Sequence, residues 1–189
     1  ANQQSLACSR ELCNYFSETD NSTLIVYCFE PSHFTYQKLR ETVEIILETS
    51  RKEIIVTPVN KALSSSNDKS VLSVVHAGAG TNTLVPMPCL EFESREQVSL
   101  ITLDLFTEER MVPEITFLKI DAEGHDAEVL KGARRLMMQK RISVIQFEYN
   151  WRWIYSQHLL QEVYFNLSEA GYHIGKITPK GILFYSDYN

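Results

Sequence analysis

The chain has 189 residues, 44% of them hydrophobic and 22% charged, with a formal net charge of −6. That length suits one ordinary domain, residues 1–189, with a substantial core. No basic run exceeds two residues, which argues against nucleic acid as the main partner, since the phosphate backbone demands clustered Lys and Arg. No apolar run approaches the roughly 20 residues needed to span a bilayer.

Residues 6–16 read as a helix with Cys8, Leu12, Tyr15 and Phe16 on one side. After the turn Asp20-Asn21-Ser22, LIVYCF (Leu24–Phe29) is expected as a buried strand that ends at Glu30-Pro31. Ser32 can cap the next helix, whose stripe Tyr36, Leu39, Val43, Ile46 and Leu47 is the most regular in the sequence. A strand is expected over residues 53–59 and a polar loop over 64–70. Residues 71–97 read as irregular, with Gly78, Gly80, Pro86 and Pro88 as breakers. Residues 98–103 make a short strand running into Asp104.

The most informative stretch is ITFLKIDAEGHDAEVLKGA, residues 115–133. A strand over 115–121, with the apolar run Phe117, Leu118 and Ile120, suits a parallel strand covered on both faces. It ends in Asp121, Glu123, Gly124, His125 and Asp126. The helix that follows carries the stripe Ala127, Leu130, Ala133 and Met137, with Asp126 and Glu128 in its first turn and Lys140 and Arg141 at its end. Open α/β sheets hold ligands beyond the carboxyl ends of their strands. Two carboxylates and an imidazole at such an exit therefore point to a ligand site. The alternative is that Asp121 and Glu123 only cap the helix, although a cap needs a single oxygen acceptor.

Residues 142–147 form another apolar strand that ends at Glu148-Tyr149-Asn150. Residues 155–170 read as a helix closed by Gly171, and the chain finishes in a hairpin of residues 172–177 against 182–185. The alternation implies an α/β fold with a mostly parallel, doubly wound sheet and a C-terminal antiparallel hairpin. In such a sheet Glu30 is placed to accept both hydroxyls of a nucleotide ribose, or else merely favours the N-terminus of the following helix. The four cysteines (Cys8, Cys13, Cys28, Cys89) show no CxxC spacing. Reduced, largely buried thiols in a cytoplasmic setting are expected ahead of disulfides or a metal site.

Four blocks carry a resemblance: VYCFEP (residues 26–31), VSLITLDLF (98–106), FLKIDAEGHDAEVLKGA (117–133) and VIQFEYN (144–150). Together they resemble the FkbM-type methyltransferases, and the third block is specific in both residues and spacing. The resemblance implies a Rossmann-like class I methyltransferase fold with S-adenosylmethionine as cofactor. It also implies O-methylation of a hydroxyl on a sugar, polyketide or similar metabolite. The family's first motif is a strand followed by a turn of the type DxGAN, and only Ala1-Asn2 corresponds to its end. The central strand of the sheet is accordingly expected to be missing from this chain.

By position, the resemblance places Asn2, Glu30, Asn60, Lys61 and Asp121 at the cofactor. It makes Asp121, Glu123 and His125 the catalytic candidates, with the last two orienting or deprotonating the acceptor hydroxyl. His125 has the alternative of a solvated first-turn residue. Glu148, Asn150 and Trp151 fall on the acceptor side, where aromatic residues suit a sugar face, although Trp151 and Trp153 equally suit a core. No metal is expected: Asp121 and Glu123 offer two ligands and no third is evident. Two rival classes remain, an NAD(P)-dependent Rossmann oxidoreductase and a non-catalytic domain with a degenerate cofactor site.

Overall fold

A computed structural model describes residues 23–49, 54–78 and 80–188. The expected helix over 6–16, with Cys8 and Cys13, and the cofactor candidate Asn2 lie outside the described residues. The protein is a mixed α/β chain that divides into two compact units, described separately below.

The first unit comprises the described residues within 1–62, 68–82 and 89–100. Strand β1 (Leu24–Phe29) falls where the apolar run between a turn and Glu30-Pro31 places it. The 17-residue helix α1 (His33–Thr49) follows, its first turn closed by the Tyr36 N–H donating to the Ser32 carbonyl at 2.8 Å. The chain returns as β2 (Ile54–Val59), parallel to β1 with Leu24 opposite Ile54 and Phe29 opposite Val59. This is a βαβ unit, the connection that parallel strands require. Val43, from the predicted stripe, is buried, and α1 packs on β2. Strand β1 is half-buried rather than fully covered, and Ile25 is exposed.

A two-residue strand, β3 (Ala62–Leu63), precedes a pairing that residue types alone do not announce. Strands β4 (Lys69–Val74) and β5 (Ser94–Ile101) are antiparallel, from Lys69 opposite Ser99 to Val74 opposite Ser94. The segment read as irregular thus contains two strands. β5 starts earlier than expected and stops at Ile101, because Thr102 caps a short helix, α2 (Leu103–Glu109), through Oγ1 accepting from the Leu105 N–H at 3.2 Å.

The second unit comprises residues 63–67, 83–88 and 101–189. Its parallel pair is β6 (Ile115–Lys119) with β7 (Ile142–Gln146), in register from Ile115 opposite Ile142 to Lys119 opposite Gln146. Between them the predicted single helix is two: α3 (Asp126–Lys131) and α4 (Arg134–Met138). The stripe Ala127, Leu130, Ala133 and Met137 is buried as the periodicity requires. The break falls at Gly132, whose backbone lies so close to the Ser64 carbonyl that a Cβ there would overlap it. Asp104, on α2, caps the new helix from a distance in sequence, its two carboxylate oxygens accepting from the Arg135 and Leu136 N–H groups at 2.9 and 3.0 Å.

The expected helix over 155–170 is also two, α5 (Trp153–Ser156) and α6 (Leu160–Glu169), separated at Gln157, whose φ of 58° is left-handed. Gly171 ends α6 with φ 76°, as its residue type suggests. Strands β8 (Gly175–Thr178) and β9 (Gly181–Phe184) form the expected antiparallel hairpin, Thr178 opposite Gly181. Among the described residues, no helix is long and apolar enough to cross a membrane. Cys28 is half-buried in β1, whereas Cys89, expected to be buried, is exposed.

Candidate functional site

The sequence-derived candidates collect at two strand exits. At the end of β1, the Glu30 N–H donates to the Val59 carbonyl at 3.0 Å, so the parallel pairing continues into the exit. Glu30 Oε1 accepts from the Ser32 N–H at 2.8 Å. Asn60 Nδ2 donates to the carbonyls of Glu30 and Pro31 at 2.9 and 3.0 Å, so Asn60 holds the loop that presents Glu30. The Lys61 N–H donates to the Val59 carbonyl at 3.0 Å. Burial raises the Glu30 carboxyl above its usual range. The Ser32 N–H opposes that shift and the nearby Glu96 carboxylate adds to it. Asn60 is thus bonded to the Glu30 loop, and Lys61 follows it in the chain.

At the end of β6 the backbone turns sharply: Glu123 has φ 52° and Gly124 φ 94°. Glycine is needed at 124 twice over, since a Cβ there would also sit 2.8 Å from the Arg152 Cβ. This close approach brings the β6 exit against the β7 exit. Glu123 Oε2 meets Arg152 Nε at 3.0 Å, with the two side chains only 18% and 11% exposed. The Glu123 carbonyl accepts from the buried Thr83 hydroxyl at 2.8 Å. Burial raises the Glu123 carboxyl, Arg152 lowers it, and the charges of Glu148, Asp121 and Asp126 raise it further.

Asp121 is exposed and paired with Lys119 at 2.8 Å. The His125 side chain makes no cap bond at the start of α3, and the side-chain partners of Asp121 and Glu123 are Lys119 and Arg152. His125 Nε2 lies 3.0 Å from Ser64 Oγ. Burial lowers its pKa, with Glu128 raising it and His158 lowering it, so the neutral imidazole prevails near pH 7. The solvated first-turn alternative for His125 does not hold, because the ring is half-buried and engaged.

On the β7 side, Asn150 Nδ2 donates to Glu148 Oε2 at 2.9 Å and Asn150 Oδ1 accepts from the Arg152 N–H at 2.9 Å. The two tryptophans part company. Trp153 is 1% exposed and belongs to the core, while Trp151 is 50% exposed and lies edge-on to Tyr155, with the Arg152 guanidinium 5.2 Å from its ring centre.

Several residues of this network carry no strong sequence signal. Asp126 is fully buried, and its Oδ1 accepts from the Glu148 N–H at 3.2 Å. Burial pushes its pKa up to about 6 against the lowering effect of backbone N–H groups at Glu148, Asp126, Ala122 and Gly124. Glu128 receives bonds from Ser65 and from Lys131 at 2.8 Å, and pairs with His158 Nε2 at 2.8 Å. Burial would raise Glu128, but those bonds and the charges of Lys131 and His158 hold it down at about 2. Nothing in the sequence marks Arg152, Ser64 or Thr83. No group of three or more His, Cys, Asp or Glu residues among those described is arranged to hold a metal ion.

These exits, with acidic residues beyond parallel strands, are where α/β enzymes gather ligand-binding groups. Residues 7–174 match the methyltransferase FkbM domain, and the chain belongs to that family. It is similar to the hexuronic acid methyltransferase AglP of Haloferax volcanii, with 29% identity over 122 residues. That match takes in 64% of this chain and 46% of the relative, so it spans less than half of the relative's length. No solved structure matches the chain.

Proposed function

We propose that the protein is an S-adenosylmethionine-dependent O-methyltransferase acting on a hydroxyl of a sugar or related metabolite. The observation that carries this reading is the family match over residues 7–174, which takes in both strand exits. Each parallel pair with its connecting helices is the kind of βαβ unit from which a Rossmann-like class I methyltransferase sheet is built. The name of the Haloferax relative makes a uronic acid-containing glycan the first acceptor class to try.

The donor chemistry fits the cofactor. Glu30 uses Oε1 for the Ser32 N–H, and a carboxylate has further acceptor capacity for ribose hydroxyls. Asn60 shapes that loop through its amide nitrogen, and Lys61 follows it in sequence. When bound, S-adenosylmethionine supplies an electrophilic methyl carbon on a sulfonium. The acceptor hydroxyl that takes up the methyl group would release its proton to a base. Glu123, raised by burial, and His125, kept neutral by it, are the two candidates to take the proton. Glu148, Asn150 and the exposed Trp151 offer hydrogen bonds and an aromatic face to the acceptor. Alignment of oxygen, carbon and sulfur contributes more than a strong base in such a displacement.

The test is calorimetric titration with S-adenosylmethionine, followed by transfer of a labelled methyl group to glucuronate-containing and neutral oligosaccharides. Saturable binding with label on the oligosaccharide is expected. Binding of NAD(P) in place of S-adenosylmethionine would overturn the reading.

A further inference from the structure

The β7 exit has an unusual support. Glu148 is an exposed residue, yet both of its backbone polar groups are held by fully buried side chains. Its N–H donates to Asp126 Oδ1 at 3.2 Å, and its carbonyl accepts from Trp153 Nε1 at 3.0 Å. Asp126 is 0% exposed and Trp153 1%. Neither contact belongs to a ladder or a helix: one comes from the first residue of α3, the other from the first residue of α5. From Glu148 onward the segment continues through the Asn150–Glu148 side-chain bond and the Asn150–Arg152 turn to the exposed Trp151.

We infer that Asp126 and Trp153 are positioning residues that set the acceptor-side segment, residues 148–151, by gripping the two backbone groups of Glu148 from within the core; the inference rests on the acceptor reading given above. A fully buried carboxylate is a poor choice for stability alone, because burial disfavours its charge. It is a good choice for fixing a loop, since its Oδ1 and the indole N–H hold the two successive peptide units that flank the Glu148 Cα. The side chains of Glu148, Asn150 and Trp151 then leave a fixed backbone, as a binding surface held to sub-ångström tolerance requires. Neither positioning residue touches the acceptor.

The experiment compares Asp126→Val, Asp126→Asn and Trp153→Phe in the active protein. Valine removes the acceptor for the Glu148 N–H, whereas asparagine keeps a carbonyl in the same place without the charge. Asp126→Val should raise the acceptor KM about tenfold or more, the scale of a displaced positioning group, with the Kd for S-adenosylmethionine within about twofold of wild type. Asp126→Asn should restore the acceptor KM, and Trp153→Phe should raise it by about threefold to fivefold, as loss of one neutral hydrogen bond implies. An Asn variant as damaged as the Val variant would overturn the inference, as would a Val variant that loses only thermal stability. If Asp126→Val does not fold, the contrast between Trp153→Phe and Asp126→Asn decides the same point. Amide exchange at Glu148 gives a readout independent of turnover: protected in wild type and Asp126→Asn, faster in Asp126→Val, which removes the acceptor of that N–H. A wild-type protein that methylates no acceptor would end the functional reading and the acceptor role with it, while the exchange data would still report whether the grip exists.

Discussion

At the end of β1, the described hydrogen bonds around Glu30 come from main-chain and amide groups. At the end of β6, by contrast, Asp121, Glu123 and Glu128 each face a cationic or imidazole partner, and Asp126 is sealed in the core. Both exits follow a parallel strand and both are acidic, so the difference lies in how the acid is kept. A carboxylate framed by neutral donors retains capacity for a ligand's hydroxyls. One that is paired in a half-buried site is held in place and tuned by its neighbours. The first arrangement suits binding; the second suits holding a geometry in which a reaction is aligned.

The largest expected effect comes from breaking the second arrangement. Arg152→Ala would leave Glu123 half-buried among Glu148, Asp121 and Asp126 without its cation. A loss of about 3–5 kcal/mol in unfolding free energy by urea titration is expected, the usual consequence of stranding one member of a buried pair. A loss below about 1 kcal/mol would mean that solvent already screens Glu123 and that the two exits are less different than they look.

Next in size is Gly132→Ala. The added methyl would overlap the Ser64 carbonyl oxygen, and backbone cannot yield as a flexible side chain can. Overpacking of this kind costs about 1–3 kcal/mol, and His125 should feel it through its bond to Ser64. The combined signature is a lower Tm and a shifted His125 resonance by NMR. A change in Tm without any change at His125 would separate the helix break from the site.

At the first exit, Glu30→Ala should weaken S-adenosylmethionine binding by about 1.5–3 kcal/mol, the scale of hydrogen bonds to a charged acceptor. Stability should fall by only about 1 kcal/mol, because the Ser32 N–H loses one bond and regains water. Calorimetry and denaturation measured on the same variant give the ratio. Equal losses in both would make Glu30 a structural residue and erase the contrast between the exits.

How far these arrangements were legible in the sequence depended on the range of the interactions that decide them. The β1 bounds were readable because an apolar run lies between a turn and Glu30-Pro31, and the stripe Ala127, Leu130, Ala133 and Met137 is buried as its spacing says. The division of that helix at Gly132 was not readable, since it is decided by the Ser64 carbonyl and by Asp104, both distant in the chain. Strand β4, KSVLSV, mixes serine with aliphatic residues without strict alternation, and its pairing with β5 supplies what its composition does not. At the site, Asp121, Glu123 and His125 were marked by residue type and position. Asp126 matches the helix dipole by its place in the first turn, and only the structure reveals its burial and its bond to the Glu148 N–H.

The finest test is one of sign. Asp126 and Glu128 lie two positions apart on α3, yet their pKa values move in opposite directions, up to about 6 and down to about 2. Linkage turns this into opposite pH dependences. Asp126 is raised above its ordinary 3.8, so it binds a proton more readily folded than unfolded. Its favourable contribution is complete below about 3.8 and is lost as pH rises through about 6. Glu128 is lowered from 4.5, so its contribution is present above about 4.5 and is lost as pH falls through about 2. Between pH 4 and 6.5, Asp126→Asn should therefore gain stability relative to wild type as pH rises. Between pH 2 and 4.5, Glu128→Gln should lose stability relative to wild type as pH rises. Denaturation curves collected at half-unit pH steps would show the two differences opening in opposite directions. Parallel curves for Asp126→Asn would show that solvent reaches the buried carboxylate, and parallel curves for Glu128→Gln that its bonds to Lys131, Ser65 and His158 do not survive in solution.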